Sequence, residues 1–254
     1  MTYRPEEFAR VRNAVLLSSV IAWILLLLNP AGMTLVAHCA AARAMLPPAS
    51  LAIGWAVMLV AMMFPVLIGP IGHIQLRSFR HRRVRSVALF VSAYAAIWMA
   101  VGCGLLSIEL AARSFTSQAY LPVAGVVIIA LVWQVSPLKQ RCLNACHAHT
   151  ELAAFGAAAD LAALRFGLAH GLWCGGSCWA LMLVPMLLPG RHLLAMAAVA
   201  ILIFSERLEP PMAPCWRWRG LGGVTRMAVV QARIRLQHSS APSRPSGSSV
   251  RLSH

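Results

Sequence analysis

Apolar residues run along this chain in long unbroken blocks. Stretches free of Asp, Glu, Lys and Arg occupy 13–42, a block trimmed to 50–72, then 86–108, 114–138, 166–190 and 192–205. A helix needs about 20 mostly apolar residues to cross a bilayer. The first five blocks meet that length. The sixth has 14 residues, roughly 21 Å at the rise of an α-helix. It spans if Arg191 and Arg207 reach the two interfaces or if the bilayer thins locally. The pattern predicts an all-α, polytopic transmembrane bundle with about six spans, at 14–36, 50–72, 86–108, 118–138, 166–189 and 191–207. The first block follows a basic segment, as a signal peptide would. Asn29-Pro30-Ala31-Gly32 offers no convincing cleavage site, so it is read as a span.

Composition agrees. Of 254 residues, 59% are hydrophobic and 11% charged, against about 25% charged in an ordinary soluble domain. Soluble and disordered classes are excluded over most of the length. The 22 basic residues outnumber 7 acids, for a net charge of +15. Their placement argues against nucleic acid as a partner. With the N-terminus inside, cytoplasmic segments before the tail carry 11 basic residues and outer loops carry 3 (Arg43, Arg113 and Arg191). That is the positive-inside distribution, with both termini cytoplasmic. The lipid bilayer is therefore the expected partner, with a membrane protein or a second copy as a further one. The Arg-rich segment 77–85 is a topology determinant near anionic headgroups. Residues 209–254 form a basic tail rich in Ser, Pro and Arg that is not expected to pack. Within it, Cys215-Trp216-Arg217-Trp218-Arg219 reads as an interfacial anchor. Localisation is expected in a bacterial inner membrane.

Chemistry concentrates in sulfur. Cys142 and Cys146 stand four residues apart, with His147 and His149 following. On a helix such thiols share a face about 6 Å apart. Thiolates select Cu(I), Zn or Fe–S, and a reducing cytoplasmic end disfavours a structural disulfide. Cys174 and Cys178 repeat the spacing, and His170 and Met182 extend it to one stripe, 170, 174, 178 and 182. Residues Gly175, Gly176 and Ser177 permit close approach of another backbone and predict a break or kink there. Met58, Met62 and Met63 lead into Phe64-Pro65. Thioethers bind Cu(I) well, although Met also fills gaps in apolar packing. The prolines Pro65 and Pro70 predict a kink or an end to that helix. Glu109 is set to pair with Arg113, and Glu206 to sit at an interface beside Arg207. Lys139, the only Lys, reads as an interfacial anchor. No nucleophile triad, phosphate loop or carboxylate pair is present.

Ala61-Met62-Met63-Phe64-Pro65, the run Gln134 to Cys146, Gly171 to Met182, and Glu206-Arg207 occur in one order. As a set they resemble the bacterial integral membrane proteins labelled "predicted metal-binding", over roughly residues 10–208. The resemblance implies a metal-related role and marks Met62, Met63, Pro65, Gln134, Pro137, Lys139, Cys142, Cys146, Cys174, Cys178, Trp179, Met182 and Glu206. Ser177 and Arg207 depart from it, standing where members often have Cys and Lys. Cys174, Cys178, Cys142, Cys146, His170, Met62, Met63 and Met182 are the expected ligands of a soft ion, copper or zinc. Transport, handling or delivery is the expected role. The alternatives are an assembly subunit without metal and a subunit of a membrane metalloenzyme. Cys174 lies deeper along its helix than Cys142 does, so a single four-thiolate site needs one helix to extend or the other to break.

Overall fold

The computed structural model describes residues 5–28, 48–114, 120–148, 150–153, 155–188 and 191–219, with isolated positions 222, 230 and 233. The regular structure among the described residues is helical, with no strand. The helices are α1 (Pro5–Leu28), α2 (Pro48–Met63), α3 (Ile68–Arg77), α4 (Arg83–Ser114), α5 (Tyr120–Val135), α6 (Pro137–His147), α7 (Gly156–Leu187) and α8 (His192–Arg207). A 3₁₀ turn, Phe64–Leu67, joins α2 to α3.

Four segments are long and apolar enough to cross a membrane: Phe8–Leu28, Ala49–Arg77, Arg83–Ser114 and Gly156–Leu187. The remaining two of the six expected spans are irregular among the described residues. The fourth is divided into α5 and α6, which meet at a bend of 62°. The sixth, α8, has 16 residues and falls short of a full crossing length. The fifth begins ten residues earlier than the charge pattern suggests, because Asp160 and Arg165 lie within α7. Asp160 is neutralised there by Arg82 at 2.8 Å and Arg85 at 2.7 Å.

Pro65 shapes the second segment. It has no N–H to give the carbonyl four residues back, which belongs to Ala61. Ser19 Oγ donates to that oxygen at 2.7 Å and Trp23 Nε1 at 3.1 Å. The freed acceptor fastens α1 to α2. The outward side chains of α1 are themselves apolar, from Leu16 to Leu28.

The pair α4 and α7 forms the centre of the bundle. Glycines at four-residue spacing make this possible. A Cβ on Gly167 would stand 2.4 Å from the Phe90 carbonyl oxygen, and one on Gly171 would stand 2.9 Å from Ile97 Cβ. Gly175 faces Val101. No break occurs at Gly175–Ser177. α7 is continuous from Gly156 to Leu187, and its small residues serve helix contact.

Candidate metal centre

The centre depends on the bend between α5 and α6. Pro137 disfavours helical backbone at the residue before it, and Ser136 is extended, with φ −69° and ψ 142°. The Ser136 hydroxyl then caps the new helix, accepting from the Lys139 N–H at 3.1 Å. α6 leaves at an angle and packs on α7. The thiol of Cys142 reaches Gly176, where an added Cβ would be 3.0 Å from its Sγ. Trp133 Nε1 of α5 donates to the Gly176 carbonyl at 3.1 Å, and Trp133 meets Trp179 edge to face at 5.4 Å. Gly176 lies between Cys174 and Cys178 in sequence. The bend thus removes the expected difference in depth between the two cysteine pairs.

Cys146, Cys174 and Cys178 are buried. The Cys174 thiol is 3.3 Å from the Tyr94 hydroxyl. Cys178 Sγ donates to the Cys174 carbonyl at 2.9 Å, and Ser177 Oγ donates to the same oxygen at 2.8 Å. The described cysteines are all free thiols. Among the described residues, no group of three or more His, Cys, Asp or Glu is set to hold a metal ion. The four thiols stand as two helical pairs, not as a preformed four-thiolate shell.

The stripe His170, Cys174, Cys178 and Met182 is buried throughout. His170 is enclosed by aromatic rings, with centroids 6.0 Å from Phe90, 6.0 Å from Tyr94 and 5.9 Å from Phe166. Tyr94 thereby touches both His170 and the Cys174 thiol. This aromatic wall, Phe90, Tyr94 and Trp98 on α4, escaped the sequence reading. Its four-residue spacing was the available signal. Met62, Met63 and Met182 are buried in the same apolar cluster as Cys146, Cys174 and Cys178. The ring nitrogens of His147 face the carbonyls of Leu143 at 2.9 Å and Arg207 at 3.1 Å. His149 lies outside the described residues.

Lys139 requires a larger correction. It is wholly buried rather than interfacial, and its Nζ lies 2.8 Å from Glu206 Oε1, itself buried. Gln134 completes the group. Its Oε1 accepts from Lys139 Nζ, and its Nε2 donates to Glu206 and to the Arg219 carbonyl. Gln134, Lys139 and Glu206 come from three separate helices, and Pro137 sets the turn that aims Lys139 at Glu206. Arg207 is half-buried. Its Nη2 donates to Ser177 Oγ at 3.3 Å. Glu109, by contrast, pairs with Arg113 at 3.0 Å as expected.

Residues 209–219, assigned by composition to the tail, run back along α6. Gln140 Nε2 donates to the carbonyls of Cys215 at 2.6 Å and Arg217 at 3.0 Å, and Asn144 Nδ2 to that of Met212 at 2.6 Å. Arg219 is buried, bonded to the Pro210 carbonyl at 2.6 Å and paired with Glu209 at 3.3 Å. Nearly all of the remaining tail lies outside the described residues.

Residues 52–230, more than half of the chain, match the family described as PpoB2, copper chaperone. The chain belongs to this copper-chaperone family. The PpoB2 match includes most of α2, all of α3 to α8 and the segment laid along α6, so it runs past residue 208, and α1 precedes it. Both cysteine pairs, Met62, Met63 and the Lys139–Glu206 pair fall inside the PpoB2 region. No curated protein and no solved structure matches the chain.

Proposed function

We propose that this protein is a multi-pass membrane protein that takes up copper as Cu(I) on cysteine thiols of α6 and α7 and hands it on. The observation that carries the reading is the contact of Cys142 with Gly176, which seats one thiol pair against the helix bearing the other. The donor set fits a soft ion. It consists of thiols backed by buried thioethers in an apolar core, and the nearby carboxylate of Glu206 is already paired with Lys139. Thiolate and thioether select Cu(I) over hard cations. The family description supports copper in particular. Cys174 and Cys178 are the first ligands, Cys142 and Cys146 the second pair. His170, Met62, Met63 and Met182 line the same core.

The membrane part rests on the four apolar segments, the bent α5–α6 pair and the apolar outer face of α1. An exposed apolar face of that extent belongs against lipid. The topology we propose has six crossings, with α5–α6 and α8 as the irregular ones, and both termini in the cytoplasm of a bacterial inner membrane. Copper is cargo in this reading, carried toward a partner protein, and nucleic acid has no part in it.

Elemental analysis tests the reading. Wild type and a Cys174→Ser/Cys178→Ser variant are purified in detergent without a histidine tag and checked by gel filtration. Near-stoichiometric copper in the wild type, lost in the variant, is expected. Equal trace metal in both folded proteins refutes it and makes the thiols packing residues of an assembly subunit.

A further inference from the structure

Two polar groups of α4 converge on the Cys174 thiol. Gly171 and Gly175, three residues before Cys174 and one after it, pack against Ile97 and Val101. Those contacts set Cys174 level with Trp98 on α4. The Tyr94 hydroxyl, one helical turn earlier, is 3.3 Å from Cys174 Sγ. Trp98 is wholly buried, and its ring centroid lies 6.4 Å from that of Tyr94. Trp55 Nε1 donates to the Trp98 carbonyl at 3.0 Å and braces this turn of α4. The Trp98 indole N–H is shielded from solvent and makes no hydrogen bond, although the Cys174 side chain stands within its reach. An unpaired buried donor is costly, and a neutral thiol is only a weak acceptor. A metal-bound thiolate is a strong one, because hydrogen bonds to an ionised partner are shorter and stronger. Cys178 is placed differently, its Sγ donating to the Cys174 carbonyl of its own helix at 2.9 Å.

We infer that Tyr94 and Trp98 are positioning residues for Cys174, two donors on α4 set in advance for the thiolate that holds Cu(I). Against the thiol the indole N–H is idle. It gains an acceptor once the sulfur carries charge on the metal. Loading releases the Cys174 proton to water as the Cu–S bond forms, and nothing is oxidised or reduced. The hydroxyl and the indole restrain one sulfur of the pair, so Cys174 is its anchoring ligand. Neither ring binds the ion. The inference rests on the copper reading above.

The test uses the full chain in detergent, free of tags and under anaerobic conditions. Cu(I) is competed against a Cu(I)-specific chelator. Removing a group that orients a metal ligand lowers affinity about 10–100-fold, and Tyr94→Phe, which deletes only the hydroxyl, is expected to weaken binding within that range. The second readout is one that a packing role would not move. Protein labelled with nitrogen-15 at tryptophan gives indole N–H resonances that stay sharp with closed-shell Cu(I), and the Trp98 signal is the one missing from Trp98→Phe. It is expected to move downfield when Cu(I) is added to the wild type. Folded Tyr94→Phe with wild-type affinity, or a Trp98 signal that does not move downfield, overturns the inference while leaving the copper reading standing. A wild type that takes no Cu(I) ends both. If Trp98→Phe does not fold, replacing the other tryptophans singly assigns the signal by elimination. If Tyr94→Phe does not fold, the indole signal of the wild type decides alone.

Discussion

The buried Lys139–Glu206 pair gives the sharpest stability prediction. Both side chains are removed from solvent, at 0% and 1% exposure, with 2.8 Å between Nζ and Oε1. Replacing Glu206 by Leu preserves approximate volume and leaves the ammonium of Lys139 buried without an anion. Breaking such a pair from one side costs about 3–5 kcal/mol. At about 2–4 °C per kcal/mol for a chain of this size, the midpoint of thermal unfolding should fall by roughly 6–20 °C. Lys139→Met should cost a similar amount, since it strands the carboxylate. The double variant Lys139→Met/Glu206→Leu removes both charges. Its remaining cost is the Gln134 carbonyl oxygen that loses its donor, about 1–3 kcal/mol. It should therefore be more stable than either single variant. Tryptophan fluorescence during heating in detergent follows all four proteins. A double variant whose loss equals the sum of the singles would refute the reasoning, because it would mean that the charges do not see each other.

Three further outcomes follow from the packing. Gly167→Ala should destabilise by about 1–3 kcal/mol through overpacking against Phe90, while Gly104→Ala, with open space around it, should be neutral or slightly stabilising; the same thermal assay compares them, and equal effects would remove the close α4–α7 approach. Ser19→Ala should cost about 1 kcal/mol by taking a donor from the Ala61 carbonyl, and the cost should shrink in a Pro65→Ala background that restores the backbone N–H; a double-mutant cycle by chemical denaturation reads the coupling, and additivity counts against the account of Pro65. Reporter fusions placed after Arg80 and after Arg219 should score as cytoplasmic, and one placed after Ser114 as external; an external score after Arg219 would reverse the role given to α8.

Much of the helical framework follows from residue order alone. Charge-free blocks of 20 or more residues must sit in an apolar surrounding, and a helix satisfies its own backbone there. That logic located α1, α2, α4 and most of α7, and the four-residue spacing placed His170, Cys174, Cys178 and Met182 on one buried face. Local rules also explain the caps and breaks, since Pro65 and Pro137 act through a missing N–H and a clash with the preceding residue. The relation between distant segments was another matter. Lys139 looked interfacial because a lone Lys at the end of an apolar block ordinarily reaches for water. Only the α5–α6 bend turns it inward to Glu206, 67 residues away. The contact of Arg207 with Ser177, 30 residues away, likewise left no mark in the sequence. Asp160 and Arg165 hid the true start of α7, because charge in a sequence carries no sign that Arg82 and Arg85 will neutralise it. The depth of Cys142 relative to Cys174 was unreadable for the same reason. Spacing along one helix is a property of the chain, whereas the meeting of two helices depends on bend angles and on glycines that let backbones touch, and these arise only when the whole bundle packs.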